Sequence, residues 1–387
     1  LSVEQSGEEL PLAYEWSYGT LNTDEDGMAS YPIKDSLHIV SHDPELKYAF
    51  RELGTFGLRL RVDNGETIRY KYFVLQVDTE FSEGITILSR DGDGKGRISF
   101  MRTLTKEEIN TGKVPVFRTD IMELINPGTK MEDVTDMVQV NNRLLVCSGD
   151  AGRIYNMDSR TFDIEGMTSF KELYPGCAFV KFAGVSANNN IYLVSRDRRG
   201  YVYDYVLDEL MLTEYFKDLD VDAAVSVDRP VFVNYETSVF YSPSLGGVTS
   251  SLNRYVDFNI WGICPVGSSV YVIATYKAMP SYIYLSQTTF SLGNPTILQF
   301  YDSLVSLKVN RNSLFAGSKS YSCLYYTCED GIYYWDLKKQ LSTTPVISIP
   351  VGMEITSLSM NPDGTLLYVG LHEKEGTEAL KGHLYVY

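Results

Sequence analysis

Residues 89–100 read SRDGDGKGRISF, and this is the stretch whose spacing most resembles a ligand set. Asp91, Asp93 and Gly96 stand where a calcium-binding EF-hand loop puts its first and third ligands and its sixth-position glycine, and Ile98 takes the usual apolar place. The fifth and twelfth positions, which need oxygen ligands, are Lys95 and Arg102. The flanking EGITILS and RISFMRT are β-branched and alternating, with no helical period. The stretch therefore predicts two strands joined by a glycine- and aspartate-rich turn, with no metal.

Other reactive residue types are scattered. His38 and His42 lie four apart in HIVSH, which puts both on one strand face but supplies no third ligand or base. His372 and His383 flank the last loop of the chain. The five cysteines, Cys147, Cys177, Cys264, Cys323 and Cys328, are odd in number and widely spaced, so they are read as buried thiols and not as a disulfide framework. No G-x-S-x-G, H-E-x-x-H, phosphate loop or G-x-G-x-x-G occurs, and GGVTSS and PVGSSV read as turns. Acidic residues are dense in DLDVDAAV, where alternation would put Asp218, Asp220 and Asp222 on one face of an edge or loop. Expected cofactor and metal are none. A carboxylate pair about 5 to 10 Å apart stays open as an alternative, which would make the chain a hydrolase or lyase acting on polysaccharide.

The elements that hold these residues are β-strands. There are 29 Tyr against 17 Phe and 3 Trp, and Tyr favours pleated, half-buried surfaces as well as binding surfaces. A formal net charge of -16 argues against nucleic acid and against charge-driven docking on anionic lipid. The main basic cluster, RDRR at residues 196–199, is interrupted by an aspartate. No apolar run approaches the ~18 residues of a membrane span. The opening LSVEQSGEELPLAYEW reads as the middle of a strand-rich domain, so a missing N-terminal piece is expected.

Residues 1–80 contain LAYEWSY and two alternating runs, 55–62 and 68–77, joined by DNGE, whose Asn-Gly is a strong hairpin signal. They predict a small antiparallel sandwich, truncated at its N-terminus. Over residues 81–387 a unit recurs: an apolar strand, a short polar loop, then a Tyr-rich strand. The copies are ITILS-RDGDGKG-RISFM, RLLVCS-GDAG-RIYNMD, NIYLVS-RDRRG-YVYDYV, VFVNY-ET-SVFYSP, SSVYVIATY-KAMPS-YIYLSQ, CLYYTCE-DG-IYYWDL and LLYVGLH-EKEGTEALKG-HLYVY. Their later strands begin near Arg97, Arg153, Tyr201, Ser238, Tyr282, Ile332 and His383, a spacing of about 37 to 56 residues that suits propeller blades. Helical patterns are short, with one turn at TKEEIN and either a short helix or a strand at RTDIMELIN. The fold class is all-β: a small PKD/Ig-like β-sandwich followed by a β-propeller of six or seven blades. Two sandwiches in series would supply the strands but not the repeated unit.

YEW followed by LKYAFRELGTFGLRLRVDNGETIRYKYFVLQV resembles a PKD-type domain. With EGITILSRDGDGKGRISFM, DIMELINPG and RLLVCSGDAGRIYNMDSRTF behind it, the chain resembles the PKD-like surface lipoproteins of Bacteroidetes. The resemblance covers most of the chain and rests on structural motifs. It implies a surface-exposed outer-membrane lipoprotein, anchored through a lipidated cysteine that this sequence does not contain. It also implies association with Sus-type systems that take up glycans or peptides.

A propeller opens the loops between the second and third strands of its blades on one face. That topology would gather Asp91, Asp93, Lys95, Asp150, Arg196, Arg198, Tyr276, Lys277, Tyr282, Glu329, Asp330, Glu373 and Lys374 into one rim. The expected function is a non-enzymatic binding or interaction protein. Its expected partner is an oligosaccharide, a peptide or an outer-membrane transporter subunit. A structural assembly partner without a small ligand is a third reading.

Overall fold

The computed structural model describes residues 3–5, 9–23, 29–32, 36–91, 93–149, 151–185, 190–211, 220–227, 230–243, 249–252, 254–288, 296–301, 309–338, 342, 344–374 and 381–387. The chain divides into two compact units, Leu1–Glu83 and Gly84–Tyr387.

The first unit is an antiparallel sheet in the order Ala29–Pro32, Ala13–Thr23, Gly54–Asp63, Ile68–Val77, with His38–Ser41 also paired to Ala13–Thr23. Its hairpin turns at residues 64–67 as the Asn-Gly signal requires. Asn64 Oδ1 accepts from the backbone N–H of Glu66 and Thr67, and Gly65 takes a φ of 87° that a side chain would resist. The core face carries Trp16 and Leu60, both nearly fully buried, with the Trp16 ring 6.1 Å from that of Phe73.

The second unit holds seven antiparallel sheets among the described residues. Sheet 1 is Gly84–Arg90, Lys95–Arg102 and Met131–Glu132. Sheet 2 is Val134–Val140, Arg143–Ser148, Arg153–Asp158 and Ile164–Ser169. Sheet 3 is Phe179–Val185, Asn190–Ser195, Gly200–Asp204 and Glu209–Met211. Sheet 4 is Ala223–Ser226, Pro230–Asn234, Val239–Pro243 and Thr249–Leu252. Sheet 5 is Phe258–Val266, Ser269–Tyr276, Met279–Thr288 and Thr296–Tyr301. Sheet 6 is Phe315–Ser318, Cys323–Cys328, Gly331–Asp336 and Ile347–Ser348. Sheet 7 is Met353–Met360, Leu367–Glu373 and Gly382–Val386.

Strands follow one another in each sheet as a meander, and the first strands of sheets 2 to 7 adjoin in succession. The cores lie between neighbouring sheets. Leu145, Cys147 and Ile154 of sheet 2 meet Phe179, Leu193 and Tyr201 of sheet 3. Val233 and Phe240 of sheet 4 meet Ile260, Ile263 and Val272 of sheet 5. Cys264 and Ile273 of sheet 5 meet Leu324, Tyr326 and Trp335 of sheet 6. Covered on both faces, the second strands read as unbroken apolar runs, as in LLVCS and VYVIAT. The repeated tyrosines are largely core, with bonded hydroxyls: Tyr203 donates to Asp208 at 2.6 Å and Tyr333 to Asp330 at 2.9 Å.

The Tyr-rich strands of sheets 2 to 7 are third strands, the place the repeated loops were expected to give them. One detail differs. The loop after Tyr276 is only residues 277–278, because Tyr276 pairs directly with Met279, so Tyr282 lies within a strand. RTDIMELIN forms the short helix Ile121–Ile125, and TKEEIN forms Lys106–Asn110 with a capping box between Thr105 and Glu108. All five cysteines are buried and free, and burial raises the thiol of Cys177 to about 11 and that of Cys264 to about 12. His42 Nδ1 sits 3.1 Å from Tyr14 O, and among the described residues no group of three metal-ligating side chains forms.

Candidate recognition face

One hydrogen bond recurs at one end of the sheets. The loop after the second strand bonds the residue just before the first strand of the same sheet. Gly149 N–H donates to Asp133 O, Arg196 N–H to Ala178 O, Lys277 N–H to Asp257 O, and Lys374 N–H to Gly352 O, at 2.7 to 2.8 Å. Sheet 6 shows the same link one position into its strand end, from Thr327 N–H to Leu314 O at 3.0 Å, and sheet 4 reverses it, from Asp222 N–H to Val233 O at 2.8 Å. These loops and entering connections therefore share an end of each sheet.

The turn that holds Asp91 belongs with them. Asp133 N–H donates to Gly94 O at 2.8 Å, just as Val221 N–H donates to Arg198 O at 2.7 Å in the step from sheet 3 to sheet 4. The hairpin of sheet 1 thus occupies second- and third-strand places, followed by Met131–Glu132 in the fourth. Among the described residues no strand fills the first place of sheet 1 or the fourth of sheet 7.

Asp91 is committed to its turn: Oδ1 accepts from the N–H groups of Asp93 and Lys95 at 3.0 and 2.9 Å. Asp93 and Lys95 form an exposed pair at 3.5 Å. Asp133 then draws three sheets together. Its carboxylate meets Arg90 Nη1 at 3.4 Å and Arg196 Nη2 at 3.3 Å. Gly149 leaves room for this pair, since a Cβ there would push aside the Asp133 carboxylate and come within 2.8 Å of Arg196 Nη2. Asp150 lies outside the described residues.

Arg198 anchors the next group. Its Nε lies 2.9 Å from Asp222 Oδ1, and Nη1 lies 3.5 Å from Asp220 and 3.6 Å from Glu236. Desolvation opposes its charge, but the carboxylates, Asp222 foremost, outweigh it and raise its pKa. Its φ is 61°, a left-handed conformation that an arginine resists and that these contacts hold. Asp222 Oδ2 also accepts from Tyr235 N–H at 2.6 Å. Asp218 lies outside the described residues.

Beyond Tyr235 stands a cation–aromatic cluster that the sequence did not mark. The Arg311 guanidinium carbon is 4.3 Å from the Tyr235 ring centroid and 5.3 Å from that of Trp261. Arg311 Nη1 donates to Ile260 O, and Trp261 Nε1 donates to Thr275 Oγ1 at 3.0 Å. Burial lowers the Arg311 pKa against the pull of Tyr235 and Asp222, and burial pushes the Tyr235 phenol up to about 12. Arg198, Asp222, Tyr235, Trp261 and Arg311 come from sheets 3 to 6 and lie on the shared end.

The other expected rim residues serve their own sheets. Lys277 Nζ donates to Val256 O at 2.6 Å, and Tyr276 packs on Phe258 with centroids 5.5 Å apart. Asp330 accepts from Tyr333, while Glu373 meets His383 at 3.1 Å and Lys381 at 3.8 Å. Lys374 is exposed, with the backbone bond to Gly352 as its link. Between sheets 2 and 3, Asp136 accepts from Phe182 N–H at 2.9 Å; burial raises its pKa, with Lys181 and backbone N–H groups opposing.

No family model matches the chain, and no curated protein matches it. Solved structures do. A quinonprotein alcohol dehydrogenase-like protein from Bacteroides thetaiotaomicron aligns with a TM-score of 0.54 at 14% identity, over 97% of this chain and 86% of that one. The WD40 repeats of RRP9 align with a TM-score of 0.51 at 14% identity, over 79% of this chain and 94% of that one. Streptogramin B lyase aligns with a TM-score of 0.50 at 12% identity, over 81% and 96%. At such identities the likeness defines the fold alone: the chain is an all-β protein of the β-propeller kind.

Proposed function

We propose that the chain is a non-enzymatic, cell-surface binding protein whose seven sheets are propeller blades and whose shared loop end is the recognition surface. Residues before Gly84 form the PKD-like spacer. The partner is an oligosaccharide, a peptide or an outer-membrane transporter subunit. In the manner of the surface lipoproteins it resembles, the chain is held at the outer membrane by a lipid anchor outside this sequence and serves nutrient uptake.

The observation that carries the binding reading is the cluster of Arg311, Tyr235 and Trp261 beside the Arg198 carboxylates. It joins aromatic rings, a partly desolvated guanidinium and the exposed carboxylates of Asp220 and Glu236 on a rigid scaffold. The carboxylates of Asp133, Asp222 and Glu373 are engaged with cations, which favours a recognition surface over an acid–base pair. Glycan and peptide arrays, with pull-down of outer-membrane proteins, test it. The wild-type chain retains a ligand, and Arg311→Ala and Glu236→Ala weaken it by about tenfold or more, which corresponds to about 1.4 kcal/mol. Silence of the wild type throughout, or binding indifferent to both substitutions, contradicts the proposal.

A further inference from the structure

The first unit carries a surface row of its own. Along the strand Ile68–Val77, at the edge of its sheet among the described residues, the side chains of Ile68, Tyr70, Tyr72 and Val74 share one face and are 44%, 49%, 37% and 59% exposed. Phe73, of the opposite parity, faces Trp16 in the core. An outward face that repeats apolar residues breaks the usual apolar-in, polar-out alternation of such sheets. At ~3.4 Å per residue the row is about 20 Å long. Contiguous exposed rows of this kind mark interaction sites.

Its chemistry is specific. The Tyr70 and Tyr72 rings lie within 19° of parallel, with centroids 6.3 Å apart. The neighbouring strand places Arg61 opposite Tyr70 and Arg59 opposite Tyr72. Arg59 is held in place, donating to Ser17 Oγ at 3.0 Å and Glu15 Oε1 at 2.8 Å, with its guanidinium carbon 5.5 Å from the Tyr70 centroid. Arg61 is paired with Asp63 at 2.5 Å. Each cation is thus matched by a carboxylate on the same face, so neither an anionic nor a cationic ligand gains a net charge partner there.

We infer that this row is a stacking platform for a neutral oligosaccharide. The C–H faces of successive sugar rings lie on Tyr70 and Tyr72, whose planar rings give contact area at low entropic cost. Sugar hydroxyls bond the phenol tips and the fixed Arg59, Arg61 and Glu15 side chains. The inference rests on the reading of the chain as a binding protein; it names the ligand as a neutral glycan and adds a site apart from the propeller face.

Affinity electrophoresis of the full chain tests it. Native gels contain starch, dextran, β-1,3-glucan, xyloglucan or galactomannan, with alginate and polygalacturonate as acidic comparisons. At least one neutral gel retards the wild type. Retardation is lost in the Tyr70→Ala/Tyr72→Ala double variant, kept largely in Tyr70→Phe/Tyr72→Phe, and melting is unchanged in both. Retardation of the alanine variant like wild type, retardation of the wild type in no neutral gel, or retardation in acidic gels only overturns the inference. So does a drop in oligomer mass of the alanine variant by light scattering without loss of retardation, which would make the row a protein contact. Arg311→Ala runs in parallel: retardation lost there and kept in the tyrosine variant overturns the platform and leaves the propeller face standing. The reverse pattern upholds the platform whatever becomes of the face.

Discussion

Asp222→Ala should destabilise the second unit more than a surface carboxylate has a right to. The carboxylate takes the Tyr235 N–H at 2.6 Å and meets Arg198 Nε at 2.9 Å. A hydrogen bond to a charged group contributes about 1.5–3 kcal/mol. The ion pair adds at most about 1 kcal/mol, because the Arg198 side chain is 36% exposed and water screens it. Removing both gives a loss of about 1.5–4 kcal/mol, some of it from the Tyr235 N–H left without its acceptor. Asp222→Asn keeps an oxygen for that N–H and loses only the charge, so it costs about 1 kcal/mol. Urea unfolding followed by tryptophan emission reads the difference, since Trp261 and Trp335 report on the second unit and Trp16 on the first. If Asp222→Ala falls within about 0.5 kcal/mol of wild type, or if the asparagine variant is equally damaged, Asp222 does not hold the face as described.

Trp335 is fully buried between sheets 5 and 6, so Trp335→Ala should cost about 3–5 kcal/mol by the same urea assay; a loss below about 1 kcal/mol would mean that the sheets do not share that core. Arg102, Lys113 and the Thr105 N–H hold the Glu108 carboxyl at about 2, below its ordinary value of 4.5. A depressed folded pKa gives stability that is full above the unfolded value and is lost as pH falls toward 2, so the gap between wild type and Glu108→Gln should close over that window; a gap constant with pH would refute the pairing.

Much of the strand order was legible because the physics is local. Asn64-Gly65 marks one hairpin, and the repeated apolar run, short loop and Tyr strand marks sheets 2 to 7, since a strand covered on both faces must be apolar throughout. The face was only half legible. Arg196 and Arg198 stand in a repeated loop and were expected there, but their partners Asp133 and Asp222 lie in irregular entering connections far away in sequence. A signal was available: Asp133, Asp222 and Asp257 each immediately precede the first strand of a sheet. Arg311, Tyr235 and Trp261 share no motif, and only three-dimensional closure brings them together. Tyrosine abundance marked the β structure, and Tyr155, Tyr201 and Tyr203 sit in its core.

Residues far apart in sequence are joined on one end of the propeller sheets. Hydrogen exchange of the full chain, wild type against Asp222→Ala, reads that joining. Faster exchange should appear together in peptides covering residues 196–199, 221–223 and 235–238, because Arg198 O receives the Val221 N–H and Asp222 receives the Tyr235 N–H. Residues 91–95 and 330–333 should be unchanged. Faster exchange confined to the peptide that contains residue 222, or spread evenly over all seven sheets, would mean that these loops are not joined through Asp222.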